Sequence, residues 1–196
     1  GVFSVRALFN FGRESVRVAT EATAIWGRLE KAVENTGVAY TDVREEIDAT
    51  ALAMQDATVV GDEDFARVLA DLVTTSGDYA ASLRNVSVVA DFAAAKNIDL
   101  GTAAQLVGRA MVGQTSTLTR YGVIIREGED AVESLRRQFA GFAEAEGATF
   151  EGMIRRASNE LGDFKQAVGD ALIEAAGGTS ALETVIATLR TMVNWT

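Results

Sequence analysis

Acidic side chains come closest, in this sequence, to a pattern that could bind a metal ion. Asp62, Glu63 and Asp64 follow Gly61 in the segment GDED, and clustered carboxylates beside a glycine are candidate calcium ligands. The segment lacks the alternating ligand positions and the final bidentate glutamate of an EF-hand loop. Consecutive carboxylates also suit the first turn of a helix, where they face unpaired backbone N–H groups. We therefore predict that these residues begin a helix.

A second acidic pair has the residue types needed for glycan cleavage. Glu144 and Glu146, in FAEAEG, offer the two carboxyl groups that glycoside hydrolysis requires. A spacing of two, however, puts them on different sides of a helix. The spacing therefore favours solvent-exposed helix charges over a catalytic pair.

Most other reactive groups are missing from the composition. The chain contains no His and no Cys, which excludes thiol nucleophiles, disulfides, imidazole bases and zinc sites built from these ligands. The segment GRAMVG, at 108–113, lacks the lysine and the preceding strand of a phosphate-binding loop. No set of residues combines a nucleophile, a base and an oxyanion donor. The sequence predicts a protein that is not an enzyme and needs no cofactor or metal.

The charge balance argues against a nucleic-acid partner. Asp and Glu number 28 against 18 Lys and Arg, giving a net charge of -10 that repels phosphate backbones. Two basic pairs, Arg136-Arg137 and Arg155-Arg156, lie within acidic surroundings. We predict that they form salt bridges with neighbouring helices and that the chain does not bind nucleic acid directly.

Neither the apolar runs nor the first residue indicates a membrane segment. The longest apolar run, at 86–95, is interrupted by Asp91 and is about half the length of a membrane-spanning helix. We therefore predict no membrane contact for this part of the protein. The chain begins at Gly1 without an initiator methionine or a signal-type leader, and we expect it to be part of a longer polypeptide.

The composition predicts helices throughout. Proline is absent and alanine is abundant, so nothing interrupts helical hydrogen bonding and the residue with the highest helix propensity is common. In an N-terminal helical segment, 1–40, a helix over 13–35 ends near Gly37. Its apolar face comprises Ala22, Trp26, Leu29 and Val33.

A middle region, 41–126, contains the signals of four shorter helices. Thr41, Asp62, Asp78 and Asp99 are suited to N-cap positions. Gly113 ends the last helix, and a short extended exit follows at 123–125. Apolar faces on these helices predict a compact bundle. Those of the last three comprise Phe65, Val68, Leu69, Leu72, Leu83, Val86, Val89, Phe92, Ala103, Leu106, Val107, Ala110 and Met111.

The remaining residues, 127–196, predict a long helical arm. Apolar or small residues recur there at alternating intervals of four and three, the heptad pattern of a coiled coil. The pattern slips by one residue near Gly147, and we predict a helix break near 177–179. A fully helical arm would be roughly 100 Å long. The predicted oligomer seam comprises Phe150, Ile154, Leu161, Phe164, Val168, Leu182, Val185, Leu189 and Met192.

Three segments of the chain resemble the tail tape measure proteins of long-tailed (siphovirus) bacteriophages and prophages. They are Asp91-Phe-Ala-Ala, the stretch from Asp99 to Gly113, and Leu118-Thr-Arg-Tyr-Gly-Val, where Val123 replaces the usual Ile. The resemblance covers about 50–190, and before residue 40 it is one of composition only. It identifies the chain as a candidate fragment of such a protein.

This resemblance implies a structural role in the virion. Tape measure proteins act as ruler and scaffold: they set tail length during assembly and leave the tube at genome ejection. The implied partners are further copies of the chain, tail tube and tail tip proteins, and a tail assembly chaperone. The implied location is the lumen or tip of the phage tail, after assembly in the host cytoplasm.

Two other functions remain open at this point. The middle bundle could be a helical adaptor that binds partner helices in a groove. The chain could also belong to a wall-degrading tail protein, although no catalytic group supports this. The predicted architecture is the same in each case: all-α, with a compact bundle of short helices followed by long heptad-patterned helices.

Overall fold

A computed structural model describes the backbone of residues 2–178 and the side chains of Ala7 and of residues 10–178. Every regular element in this range is helical, and no strand occurs within it. The predicted all-α class is therefore confirmed for this part of the chain. Four predicted seam residues lie outside the described range: Leu182, Val185, Leu189 and Met192. The part of the predicted helical arm beyond residue 179 also lies outside it.

Eight α-helices and one short 3₁₀ helix make up the described residues. The first four are α1 (Val2–Glu34), α2 (Tyr40–Ala57), α3 (Asp62–Ser76) and α4 (Tyr79–Lys96). The next is α5 (Leu100–Met111), which the 3₁₀ helix Leu118–Tyr121 follows. The last three are α6 (Ala131–Phe139), α7 (Phe142–Gly147) and α8 (Phe150–Ala175).

The chain divides into two compact units, and the larger one, 25–157, is a helical bundle. Its α3, α4 and α5 pack on one another, α2 lies on α3, and α6 and α7 lie on α4. The predicted compact bundle is thus confirmed. All but one of the residues predicted for the faces of α3, α4 and α5 are buried, and the exception, Met111, is partly buried.

The limits of this unit differ from the predicted division at residues 40 and 126. Phe139 of α6 is buried against Phe92 of α4, with 5.5 Å between the ring centroids. From the sequence we grouped Phe139 with the arm, because its three-and-four spacing suits a bundle helix and a coiled coil equally well. Residues 127–147 form two short bundle helices, and the continuous long heptad helix predicted for this stretch is not present.

Two of the predicted helix starts are confirmed at the level of the hydrogen bond. The Asp78 carboxylate accepts from Ala81 N at 2.8 Å, and the Asp99 carboxylate accepts from Thr102 N at 2.8 Å. Each bond satisfies one of the backbone donors that the first turn of a helix leaves unpaired. Local chemistry alone therefore sets the start of α4 and α5.

Two other starts fall one or two residues earlier than predicted. Helix α2 has Ala39 rather than Thr41 as its N-cap, and α3 has Gly61 rather than Asp62. Neither observed cap residue offers a side-chain acceptor, so the cap chemistry that the prediction used is absent there. Asp62 instead lies in the first turn, where its charge faces the helix dipole.

The connection between α5 and α6 is held by one side-chain amide. Gln138 accepts from Ile124 N through Oε1 at 3.0 Å and donates from Nε2 to Ile124 O at 2.9 Å. This pair of bonds resembles the one that a neighbouring strand would make. It satisfies the backbone N–H and C=O groups of Ile124, within the segment 123–125 that we predicted to be extended. Val123 beside it is buried.

The smaller unit contains the described part of 1–24 and of 158–196, and its helices α1 and α8 cross closely. Gly169 is buried, and a Cβ atom there would collide with the carbonyl oxygen of Ser15 and lie 2.8 Å from Cβ of Ala19. Phe11 and Phe164 pack nearby, with ring centroids 6.2 Å apart. A residue without a side chain is therefore required where the two helices meet.

Candidate functional site

The first candidate site is the apolar edge of α8, where the sequence predicted the seam. Four of the five seam residues within the described range have half or more of their surface exposed, and Val168 is half-buried. Met153 adds to this edge with 52% exposure. The exposed four are Phe150 at 76%, Ile154 at 56%, Leu161 at 52% and Phe164 at 57%.

Within the smaller unit, the part of α8 from residue 158 onward packs on α1 through a different face. Gly169, which lies against α1, occupies the position after Val168 in the heptad pattern and so falls outside the seam. Gln166 and Ile173, three and four residues away on the same face, are also partly covered. In this unit Leu161 and Phe164 therefore stay more than half exposed, although Phe164 also packs on Phe11.

An exposed row of large apolar residues on one helix is a binding surface in most proteins that carry one. Each such side chain contributes about 1.5–3 kcal/mol when a partner buries it fully. Arg155, which flanks the edge, binds Glu151 and Glu146, each at 2.9 Å. That another copy of the chain covers this exposed apolar edge stays a prediction.

The second candidate site is an open groove in the larger unit, with a volume of about 520 Å³. One wall is α2 and the other is α4, while α7 closes one end. Both walls pack on α3, which separates them and so creates the groove. Between its charged rim residues the exposed lining is made of short side chains, while the apolar floor comprises Met54, Leu83, Val86 and Ala90.

The rim of this groove is acidic. Glu46, Asp91 and Glu144 lie along it with one guanidinium, that of Arg84. The Glu46 carboxylate accepts from the Tyr79 hydroxyl at 3.1 Å. Burial, together with the neighbouring Glu46 charge, raises the pKa of Tyr79, so this phenol stays protonated and keeps donating.

Asp91 has a second role that joins two helices. Its Oδ1 accepts from Ala143 N at 3.0 Å, so α4 supplies a hydrogen-bond acceptor to the first turn of α7. The two residues are 52 positions apart in the sequence. No local sequence pattern indicates this contact, because Asp91 lies on α4 whereas the backbone N–H that it accepts from belongs to α7.

The acidic residues singled out in the sequence are not brought together as a catalytic pair. Glu146 accepts from Arg155 at 2.9 Å, whereas Glu144 lies on the rim of the groove. The two carboxylates thus lie in different environments, because residues two apart on one helix do not face each other.

The predicted helix-start cluster also lies where the sequence placed it. Asp62, Glu63 and Asp64 occupy the first turn of α3, and Asp64 forms an ion pair of 2.6 Å with Arg67 one turn later. Their position beside unpaired backbone N–H groups accounts for the three carboxylates.

Three of the four arginines in the basic pairs form salt bridges. Arg137 binds Glu129, which precedes α6, and Arg136 lies 3.4 Å from Glu133 on its own helix. Only Arg155 makes the predicted salt bridge to a neighbouring helix, at 2.9 Å from Glu146 of α7, whereas Arg136 reaches α4 through a hydrogen bond to Asn85 at 2.8 Å.

Neither the apolar edge of α8 nor the groove requires a bound small molecule. Among the described helices, none has the length and apolar character of a bilayer-spanning segment. The described residues therefore form an all-helical fold with two exposed features, an apolar helix edge and a groove. Comparison with protein-family models, curated proteins and solved structures finds no match to this chain.

The sequence raised a groove of the middle bundle only as an alternative and did not place it, because the residues that line it have no distinctive chemistry. Thr50, Ala53 and Ala57 recur at helical spacing on α2, but alanine on an exposed helix face is common in any helical protein. Only the packing of α2 and α4 on opposite sides of α3 turns this face into a wall. The one available signal was a face of short side chains beside the predicted apolar face of α2.

Proposed function

We propose that this chain is a structural part of a phage tail tape measure protein, a non-enzymatic ruler and scaffold that sets tail length and leaves the tube at genome ejection. Its proposed location is the lumen or tip of the phage tail in the virion, with assembly in the host cytoplasm. The resemblance of the segments 91–94, 99–113 and 118–123 suggests this role.

One structural observation supports the proposal: large apolar residues along one edge of α8 are half or more exposed. We propose that this edge is the start of a coiled-coil seam between copies of the chain. A helix rises about 1.5 Å per residue, so a bundle of parallel copies converts chain length into distance. Tail tube and tail tip proteins, with an assembly chaperone, are the other proposed partners.

Self-association is tested by sedimentation velocity over a wide range of protein concentration. The proposal predicts oligomers that dissociate on dilution and are lost in the double variant Ile154→Glu, Leu161→Glu. The control is Leu52→Glu, which alters an equally exposed apolar residue, at 59% exposure, on α2. A chain that remains monomeric at every concentration contradicts the proposed seam.

The ruler role is tested separately, in a phage or prophage whose tape measure gene encodes this sequence. Duplicating the 26 residues of α8 should lengthen the tail by about 40 Å, as measured by electron microscopy of purified tails. Tails of unchanged length would remove the ruler role while leaving self-association intact.

A second candidate function is supported by the groove between α2 and α4: a helical module that binds a partner helix. A photo-crosslinking side chain at Ala53, which lines the groove, should capture that partner. The same group at Leu52, which is exposed but outside the groove, should not. Equal capture from both positions would show that the groove has no special role.

A further inference from the structure

We propose that the groove between α2 and α4 binds a short amphipathic helix of a partner protein, with an apolar face flanked by Lys or Arg. This inference rests on the second proposed function, the partner-binding module, and names the chemistry of its partner. It is carried by the shape of the groove, by the small side chains of its walls and by the charge of its rim.

The dimensions of the groove suit a helix of a few turns. Its α2 wall extends from Glu46 to Thr58, which corresponds to about 18 Å at 1.5 Å per residue. A ligand helix of about 12 residues matches this length. The volume of about 520 Å³ is enough for several apolar side chains but too small for a whole helix, which has a diameter of about 10 Å. The ligand therefore lies along the opening and inserts one row of side chains.

The walls allow such a helix to approach closely. Ala53 and Ala57 on α2, and Ser87 on α4, are exposed and have at most one heavy atom beyond the backbone and Cβ. The floor between them is apolar, with Val86 and Ala90 at its base. Short walls over an apolar floor are the features that a helix-in-groove interface uses.

The rim selects the charge of the ligand. Glu46 and Asp91 accept hydrogen bonds from a tyrosine hydroxyl and a backbone N–H, and neither of these donors carries a charge. Glu144 adds a third carboxylate, against the single cation of Arg84. With a chain net charge of -10, this rim attracts a cationic helix and repels an anionic one.

A second copy of the chain fits this rim less well. The exposed apolar edge of α8 carries Arg155, but that guanidinium already binds Glu151 and Glu146. Over its whole length α8 has five acidic and three basic side chains, a net charge of -2, which an acidic rim does not attract. A separate partner with unpaired Lys or Arg beside its apolar face matches the groove better.

The experiment uses the whole 196-residue chain and two labelled model helices of about 15 residues. The two peptides share one Leu and Ala face, but one is flanked by Lys and the other by Glu. Fluorescence anisotropy should show binding of the Lys peptide, weakening as salt is added, and much weaker binding of the Glu peptide. Equal affinity for both peptides, or binding of neither, overturns the proposal.

Two matched pairs of variants locate the site. Ala53→Phe fills the groove and should weaken binding of the Lys peptide by at least about tenfold, whereas Leu52→Phe on the neighbouring exposed face should not. Glu46→Gln keeps an acceptor for Tyr79 but removes a rim charge, and should weaken binding about two- to fivefold. Glu45→Gln, one residue outside the groove, should leave it unchanged.

The remaining outcomes separate this inference from the functions that it builds on. If Ala53→Phe dissociates oligomers of the chain itself, a second copy of the chain occupies the groove and the proposal of a cationic partner is wrong. If the crosslinker at Ala53 captures a partner but the Lys peptide has no advantage, the binding module stands and only its proposed chemistry fails. If neither the crosslinker nor the peptides detect binding, both are overturned.

Discussion

The Arg137 guanidinium binds the Glu129 carboxylate through two parallel contacts, Nε to Oε1 at 2.9 Å and Nη2 to Oε2 at 3.1 Å. Glu129 Oε2 also accepts from Arg126 N at 3.3 Å. Such paired contacts fix the orientation of both side chains as well as their distance. They tie the long connection before α6 to α6 itself, beside the amide bonds that Gln138 makes to the same connection.

Acid should weaken this attachment. The Arg137 hydrogen bonds lower the pKa of Glu129 from 4.5 to about 2. Because the folded state keeps this carboxylate ionised to lower pH than the unfolded chain does, its contribution is full above pH 4.5 and is lost as the pH falls toward 2. Glu129→Gln should therefore lower the thermal midpoint at pH 6, and the difference from the parent should shrink as the pH approaches 3.

The control for this pH effect is the partner variant. In a chain that carries Arg137→Met, the change Glu129→Gln should have little effect at any pH, because the pair is already broken. Circular dichroism at several pH values gives the thermal midpoints of the parent, the two single variants and the double variant. A gap between parent and Glu129→Gln that stays constant down to pH 3 contradicts the assignment of this pair.

Replacing Gly169 should separate α1 from α8. An alanine Cβ there would collide with the carbonyl oxygen of Ser15, and backbone atoms cannot move away as a flexible side chain can. Gly169→Ala should destabilise the chain by about 1–3 kcal/mol, the usual range for overpacking. Hydrogen exchange should report faster exchange in the described part of 10–24 and in 158–175.

Gly162, on the same helix, provides a control with the opposite sign. No neighbouring atom lies within 4 Å of the position that a Cβ would take at Gly162. Gly162→Ala should therefore stabilise α8 by up to about 1 kcal/mol, because alanine has the higher helix propensity. If both substitutions stabilise the chain, the close crossing of α1 and α8 does not exist.

Gly108 should tolerate alanine only if Thr75 is reduced. A Cβ at Gly108, on α5, would lie 3.2 Å from Cβ and Cγ2 of Thr75 on α3, so these helices would have to move apart by a few tenths of an ångström. Gly108→Ala should cost about 1 kcal/mol despite the gain in helix propensity. Thr75→Ala removes Cγ2 and Oγ1 but keeps Cβ, so it should restore part of the loss when it is combined with Gly108→Ala, as measured by urea unfolding. Equal costs in both backgrounds would exclude this contact as the cause.

Local chemistry explains which parts of the fold were predictable. Asp78 and Asp99 were correct N-caps because the hydrogen bond that defines a cap lies within three residues of the chain. The apolar faces predicted for α3, α4 and α5 were buried for a similar reason, since each of these helices packs its stripe on its neighbours in the bundle. The position of Phe139 was not predictable, because spacing does not identify the helix that covers it.

The candidate sites show the same limit. The exposed edge of α8 could be predicted as an apolar stripe, since its members share one helix. The groove could not, because it depends on two helices packing on a third, and neither wall is unusual alone. Gly169 was uninformative in the sequence, because a glycine within a helix indicates either low helix stability or close packing. Only its contact with Ser15 in the structure distinguishes these two explanations.

The last prediction concerns the bond that fastens α7 to α4. Helix α7 has only six residues, and a helix this short is not stable without tertiary contacts. Asp91 supplies one of them by accepting from Ala143 N, so Asp91→Ala should destabilise the chain by about 0.5–2 kcal/mol, the range for loss of a capping acceptor. Asp91→Asn keeps an acceptor oxygen and should cost less than Asp91→Ala.

Urea unfolding compares the two Asp91 variants, and tryptic digestion shows where the change acts. Loosening of α7 should free Arg155, which is already 53% exposed, from its partner Glu146 on that helix, so cleavage there should accelerate in Asp91→Ala before cleavage at Arg44 does. Arg44, which pairs with Asp48 on its own helix α2, is the internal reference. Equal destabilisation by alanine and asparagine would mean that the carboxylate charge, rather than the hydrogen bond to Ala143, holds this end of the groove in place.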